Sequence, residues 1–399
     1  MSKQNHRAIP NAQCKTVVMG CTHPYWSALQ VGSQHLARQF ARHGWVVHYF
    51  SAPVTLLHLS RLWSSEVIKR LKGALQCRTI HENGMIRSYV PFSLIAPDGR
   101  SLLRNKTVTH NWFRTMVPSF QRLQNKMGFG RISIVYIDNL SYHFLLDQLQ
   151  YKKSIFRVMD MHERFAGWEG NAFSLAQKIA RHANLTVFSA QGLKKYVDTL
   201  GAGRTAFIPN GVDFDFFYVQ KPSTQRHPIL KNIPDPILLY TGMIDTRLDV
   251  RLIRSVAKSL PDVSFVFTGP ADIKDLLKNM PVNVYFTGPV PHDQLPTLMS
   301  AATAGLIPFD VTNHMGGIQG IRPLKLLEYL AAGIPVISVR WPEIEAMGSP
   351  VWLYENEVEF VALVHKAIHD EYDPMIGLNF VMQQDWHHSF ESMLNALMC

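Results

Sequence analysis

The chain has 399 residues, 47% hydrophobic and 18% charged, which is the balance of an ordinary globular protein. It contains no run of 18 apolar residues, which excludes a membrane-spanning helix, and it is longer than one core normally holds, so two domains of about 150–200 residues are expected. The net charge of +10 is unevenly placed: residues 1–150 carry 18 Lys/Arg against 5 Asp/Glu, a net of +13, and the remainder carries 22 against 25, a net of −3. Such asymmetry suggests that the first half faces a polyanion, either an anionic membrane surface or a nucleic acid. The N-terminal stretch MSKQNHRAIPNAQCK has no apolar core and does not read as a secretory signal. The four cysteines (Cys14, Cys21, Cys77, Cys399) lack zinc or redox spacing and suit a reducing cytoplasm.

In chain order, Thr16 to Met19 reads as a buried strand, followed by the loop Gly20 to Trp26, a helix to about His43 and a second strand, Trp45 to Phe50. This β-loop-α-β opening is how a doubly wound domain starts, and ligands sit beyond the C-terminal ends of such strands. His23 and Tyr25 are therefore candidates for a cleft, and packing of the loop is the plainer alternative. Val54 to Leu75 mixes Leu57, Leu59, Leu62, Trp63 and Val67 with Arg61, Lys69, Arg70 and Lys72. Gly99 to Ile137 holds seven Lys/Arg and no Asp/Glu, with Trp112, Phe113, Met116 and Phe120 among them. Basic amphipathic stretches with aromatics match helices lying on anionic lipid headgroups; core-facing helices with solvated basic faces give the same pattern. No RNA- or DNA-binding motif appears, so no nucleic-acid partner is expected.

Ile132 to Ile137 and Ser154 to Met159 are two further strands. The second runs into Asp160-Met161-His162-Glu163. A carboxylate just past a strand end can accept a proton from an attacking hydroxyl, and it can equally cap the following turn. Leu185 to Phe188 and Thr205 to Ile208 are strands, Pro209-Asn210-Gly211-Val212-Asp213 is a sharp turn, and the Pro-rich polar stretch 219–236 reads as a linker. A second α/β unit then starts afresh at Ile237 to Tyr240, with the loop Thr241 to Arg247, a helix from Leu248 to Leu260, and strands at Val263 to Phe267, Val282 to Phe286, Gly305 to Pro308 and Val351 to Tyr354. A helix starts at Glu357, and Trp386 to Met398 closes the chain as an amphipathic segment.

His314 to Val339 organises the second half. Gly316, Gly317 and Gly320 can take backbone angles closed to other residues and leave room for a ligand. Leu324, Leu327, Leu330 and Ala331 then repeat at helical spacing, and Gly333-Ile334-Pro335 stops the helix before a buried strand. A Gly-rich turn entering a helix start suits a phosphate, and Arg322 and Lys325 add fixed charge. A loop before an ordinary core helix is the plainer alternative, and the stretch matches neither of the two familiar phosphate fingerprints.

Two successive Rossmann-like halves, the NGVD joint and a late loop-helix together resemble the GT-B glycosyltransferases. The segments carrying the likeness are YTGMID, VSFVFTGP, VYFTGPVPHDQLPTLMSAATAGLIPFD and IRPLKLLEYLAAGIPVIS, and within the fold FRVMDMHERFAGW and RPLKLLEYLAAGIPV look most like the transferases of teichuronic-acid and xanthan-type exopolysaccharide assembly. The resemblance implies an α/β GT-B fold of two Rossmann-like domains facing across a cleft. Residues 1–213 would form the acceptor-binding domain, 214–236 the linker, 237–375 the nucleotide-sugar-binding domain, and 376–399 a helical segment returning to the first domain. It implies a lipid-linked saccharide acceptor at the inner face of the plasma membrane and a nucleotide-sugar donor, UDP-linked, with no cofactor; no metal is expected, because fixed cations and a helix end replace it. In xanthan-type glucuronosyltransferases an Asp serves as base at the position matching Asp160, and a donor-side Met and Lys match Met243 and Lys325. The large retaining GT-B family places two glutamates separated by seven residues on this loop-helix. Here the second matches Glu328 and the first position is Gly320, which weakens a retaining assignment.

The expected mechanism is inverting transfer with Asp160 as base. Arg322, Lys325, Arg247 and the amides near Gly316 and Gly317 would stabilise the leaving diphosphate. Glu328 would hold the ribose, and Met243 and Phe309 would line the base or sugar pocket. His23, Tyr25, His162 and Glu163 are acceptor-side candidates. Arg322 and Lys325 could also meet the carboxylate of a uronic acid donor. A retaining transferase, a nucleotide-sugar epimerase of the same architecture and a non-catalytic nucleotide-binding subunit are the alternatives.

Overall fold

The computed structural model describes residues 15–27, 29–61, 65–76, 79–96, 110–161, 172–218, 226–273, 277–370 and 372–399. The chain forms two compact units, residues 1–25 with 37–155, and residues 26–36 with 156–399. The linker read from the sequence thus falls inside the second unit.

In the first unit the strands β1 (Thr16–Gly20), β2 (Val46–Phe50), β4 (Thr79–His81), β5 (Ile86–Tyr89) and β8 (Ile132–Ile137) lie in the order β8-β1-β2-β5-β4. All neighbours are parallel except β4, which runs antiparallel to β5. Every residue of β1 is buried, as a central parallel strand requires apolar side chains on both faces. A small second sheet joins β3 (Val54–Thr55), β6 (Phe92–Ser93) and β7 (Met116–Val117). The two basic stretches differ here from continuous amphipathic helices. Their described parts are two-residue strands, 3-10 turns, the strand β8 and two separate helices, α2 (Ser65–Gln76) and α3 (Phe120–Met127). Trp112 is fully buried and its Nε1 donates to the Ser141 carbonyl at 2.8 Å. Phe113 stacks on Phe144 at 4.4 Å, and Phe120 meets the same ring edge-on at 5.1 Å. These aromatics therefore close the first unit's own core, because Phe144 and its neighbours offer them a dry surface. Among the described residues of the first stretch, the apolar side chains Leu56, Leu57, Ile68 and Leu75 stay exposed.

The second unit begins with the first turn of α1 (Gly32–Arg42) and the end of β9 (Tyr151–Val158), beside which lie β10 (Leu185–Phe188) and β11 (Thr205–Phe207) in the order β11-β10-β9. Its other sheet holds β12 (Ile237–Thr241), β13 (Ser264–Thr268), β14 (Val284–Gly288), β15 (Ala304–Ile307), β16 (Val336–Val339) and β17 (Trp352–Tyr354). They are all parallel, in the order β14-β13-β12-β15-β16-β17. The order reverses between β12 and β15, so their carboxyl ends form the switch point at which such sheets bind ligands. Helix α5 (Val250–Ser259; α4, Ala172–His182, precedes it) starts at Asp249, whose carboxylate accepts from Leu252 N at 2.9 Å, a cap worth about 1 kcal/mol.

The Gly-rich stretch folds otherwise than a loop. Asp310 caps α6 (Val311–Ile318), bent at His314, and this helix contains Gly316 and Gly317. Neither they nor Gly320 has a positive φ. The helix expected after them is α7 (Leu324–Ala331), which buries Leu326, Leu327, Tyr329, Leu330 and Ala331; each buried Leu contributes about 1.5–3 kcal/mol. Gly333, at φ 80°, ends it in the left-handed region as expected. The Asn210-Gly211 turn also lacks a positive φ. Gly211 is required for space instead, since a Cβ there would lie 2.6 Å from Trp386 N. Beyond α8 (Glu357–His369) and α9 (Pro374–Val381), the chain ends in α10 (Trp386–Met398), whose Trp386 stacks on His35 at 5.0 Å.

Candidate active site

The site is built from the loops that leave β12 and β15. After β12, Gly242 takes φ 125°, and a Cβ on it would come within 2.9 Å of Lys325 Nζ. A Cβ on Gly269, after β13, would strike Gly242 O at 1.9 Å, so the two strand exits nest backbone against backbone. The loop then turns through Asp245 and Arg247. Arg247 Nε donates to Asp245 Oδ1 at 2.9 Å and to Oδ2 at 3.0 Å. The exit of β15 is tied to this loop: Asp310 N donates to Arg247 O at 2.7 Å, and Asp249 N to Pro308 O at 2.9 Å. Asp310 also holds Asn313 through its main-chain N at 2.9 Å and its Nδ2 at 2.7 Å.

A cavity of about 470 Å³ opens here, lined by Asp160, Met161, Leu193, Asp245, Thr246, Arg247, Asn313, His314, Gly316, Gly317 and Gly320. All of these belong to the second unit. Asp160 follows the end of β9, as read from its place in the sequence. Burial raises its pKa to about 6, and the nearby Arg247 guanidinium limits the rise. The carboxylate is thus mostly ionised at neutral pH yet basic enough to take a proton, the compromise a general base needs. Gly316, Gly317 and Gly320 do reach the cavity, as part of α6 and the turn after it rather than as a phosphate loop.

Lys325 and Glu328 lie on α7, next to the lining rather than in it. Lys325 Nζ sits 3.6 Å from the centre of the Tyr240 ring and 5.5 Å from that of Phe309. Burial and the Arg247 charge hold it well below the usual lysine range. Burial pushes Glu328 up to about 7, against the pull of Lys325. Burial dominates both shifts, and an anion bound beside Lys325 would favour its charged form. Pro323 stands before α7 and supplies no side-chain cap, and Leu326 N donates to Pro323 O at 3.3 Å.

Three expected donor contacts fall elsewhere. Arg322 is buried, with Nη1 3.7 Å from Glu343 Oε1, Nη2 donating to Gln384 Oε1 at 3.3 Å, and the guanidinium over the Phe207 ring at 6.0 Å. It serves an internal ion pair because Glu343, itself 2% exposed, needs a cation there. Phe309 is packed against Trp341 at 5.9 Å and is absent from the lining, although Arg247 lies 5.9 Å above its ring. Met243 is also outside the lining, and its carbonyl accepts from Tyr240 Oη at 2.7 Å. Of the acceptor-side candidates, Tyr25 is buried in the first unit, donating to Glu82 Oε1 at 3.0 Å and packed on His81 at 4.7 Å. The main-chain O of His23 accepts from Tyr49 Oη at 3.0 Å. His162 and Glu163 lie outside the described residues.

The lining residues Met161, Leu193, Asp245, Thr246, Asn313 and His314 were not among the site candidates read from the sequence. Asp310 followed by Asn313 carries a capping signal that would have turned the Gly-rich stretch into a helix and drawn both Asn313 and His314 to the cavity.

Similarity to known proteins bears on the fold around this cavity. The pattern of the family described as glycosyl transferases group 1 matches residues 235–370. The putative teichuronic acid biosynthesis glycosyltransferase TuaH of Bacillus subtilis is 29% identical over 54% of this chain and 57% of its own length. The sulfoquinovosyl transferase SQD2 of Arabidopsis thaliana is 27% identical over 42% of this chain and 33% of its own. The chain thus spans about half or less of these two relatives. Among solved structures, sucrose-phosphate synthase of Thermosynechococcus elongatus superposes with a TM-score of 0.67 over 96% of this chain and 98% of its own, at 16% identity. HepE of Anabaena, solved with UDP and glucose, gives 0.63 over 96% and 99%, at 13% identity. The chain therefore has the GT-B fold, and its residues 235–370 match the pattern of the glycosyl transferases group 1 family.

Proposed function

We propose that the protein is a glycosyltransferase that moves a sugar from a UDP-linked donor to a lipid-linked saccharide in cell-surface polysaccharide synthesis, with inversion. Asp160 takes the proton of an acceptor hydroxyl. That oxygen attacks the anomeric carbon as the bond to the diphosphate breaks. Arg247, Lys325 and the first-turn amides of α7 take up the charge that develops on the leaving phosphate. Glu328 accepts from ribose hydroxyls, and the fixed cations supply the electrophilic help that a metal gives in other transferases. The observation that carries this reading is one cavity at the β12/β15 switch point holding both a carboxylate with a pKa of about 6 and Arg247.

Gly320 in the lining, where a retaining enzyme would present a glutamate, favours inversion. The likeness to TuaH favours a polysaccharide product, and the solved UDP complexes of fold relatives favour a uridine donor. The net charge of the first 150 residues and the exposed Leu56, Leu57, Ile68 and Leu75 favour an anionic inner-membrane surface as the place of work.

The test is a panel of nucleotide sugars mixed with enzyme and lipid-linked acceptor, scored by UDP release and by the anomeric configuration of the product. Asp160→Asn should lower turnover by about 10²–10⁴-fold. Turnover near wild type would remove the assignment of the base, and a retained anomeric configuration would replace inversion. Conversion of nucleotide sugar without acceptor would indicate an epimerase.

A further inference from the structure

Asn210 joins two parts of the site that lie far apart in the sequence. Its Oδ1 accepts from Arg157 Nη2 at 2.7 Å, and its Nδ2 donates to the main-chain O of Arg322 at 3.1 Å. Arg157 is three residues before Asp160, at the end of β9, and Arg322 is three residues before Lys325, at the entry to α7. The amide orientation follows from its partners, because a guanidinium can only donate and a carbonyl can only accept.

Both arms of this link are held stiffly. Arg157 is 1% exposed, and its Nε and Nη1 make no hydrogen bond among the described residues. Its guanidinium lies 5.5 Å from the Trp386 ring and against Gly32, where a Cβ would fall 2.1 Å from Nη1. The group is wedged, and its one polar contact among the described residues is the Asn210 carbonyl oxygen. The turn carrying Asn210 is pinned in its turn. Val212 N donates to Gln384 O at 2.9 Å, Trp386 N to Val212 O at 3.2 Å, and Ser389 Oγ to Pro209 O at 2.9 Å.

We propose that Asn210 is a positioning residue for the transfer reaction: it fixes the spacing between the strand end that carries Asp160 and the helix start that carries Lys325 and Glu328. The inference rests on the reading of Asp160 as base. A carboxylate can act only when the hydroxyl it serves and the leaving phosphate are held together. An error of about 1 Å in such an arrangement costs on the order of 10²-fold in rate.

The experiment measures kcat and donor KM for Asn210→Ala, Asn210→Asp, Arg157→Lys and the double variant Arg157→Lys/Asn210→Ala, each confirmed folded by its circular dichroism melt. Asn210→Ala should lower kcat by roughly 10- to 100-fold and leave the donor KM within about threefold. Asn210→Asp has the same size and still accepts from Arg157, but it loses the donor to Arg322 O. It should also fall in kcat, and it carries the test should the Ala variant fail to fold. Because the two residues act through one link, the double variant should be no slower than the worse single one. A kcat within twofold of wild type in folded Asn210→Asp, or losses that multiply in the double variant, would overturn the proposal. Asp160→Asn run alongside separates the two claims. Its inactivity beside fully active Asn210 variants would remove the link and leave the base, whereas its full activity would remove the base itself.

Discussion

The loop around Arg247 and the joint around Arg322 pose the same chemical problem and solve it in opposite ways. Each has an arginine facing a carboxylate. Arg247 finds Asp245 two residues away, on a half-exposed loop that lines the cavity. Arg322 finds Glu343 twenty-one residues away, with both side chains almost sealed from solvent. A local pair can open toward a ligand at small cost, because water and the ligand both replace the lost contact. A buried pair cannot open without stranding a charge. The difference sorts two cations that look alike in sequence into one that can serve a substrate and one that holds the protein together.

Substitutions test that sorting. The largest effect on stability is expected for Arg322→Met, which leaves Glu343 buried without its cation. The urea unfolding free energy should fall by about 3 kcal/mol, while UDP affinity of the folded fraction stays near wild type. Unchanged stability with lost UDP binding would reverse the comparison. Arg247→Met should do the opposite. Calorimetric UDP affinity should drop about 10- to 100-fold, the size of one or two charge-assisted hydrogen bonds. Its stability should change by under about 1 kcal/mol, as the pair it breaks is half-exposed.

The pH profile sharpens the assignment of the carboxylate. A raised pKa means that Asp160 is protonated, and so unable to act as base, below about pH 6. kcat/KM should therefore be flat near neutrality and fall tenfold per unit on the acid side, with its bend near 6. The smallest effect belongs to the exposed Lys194–Asp198 pair, 2.9 Å apart on one helix turn. Asp198→Asn should move the melting free energy by no more than about 0.5 kcal/mol and leave turnover unchanged. A larger loss would mean that surface ion pairs matter more here than the comparison allows.

Much of the second sheet was legible in the sequence because parallel strands buried on both faces write themselves as short β-branched runs. Ile237 to Tyr240 and Val263 to Phe267 lie within one residue of β12 and β13. Asp160 was legible for a related reason: its place just past a strand end is visible without coordinates. The region between Val54 and Val117 was not. Its two-residue strands and 3-10 turns are held in part by rings such as Trp112 and Phe113 docking on residues 140–144, and a basic pattern with aromatics looks the same whether the rings enter a core or a membrane. Arg322 was misread for want of its partners, since Glu343 and Gln384 come to it only through the fold. Gly316 and Gly317 were misread because glycine's freedom was given more weight than the Asp310 cap that sets them in a helix.

The presence of Asp160 and Arg247 in one cavity within a single compact unit has a practical use. A fragment that pairs an amidine with a carboxylate could grip both side chains at once, occupying the cavity without imitating a nucleotide. Screening such fragments would give a chemical handle on this cavity that does not depend on the identity of the substrate.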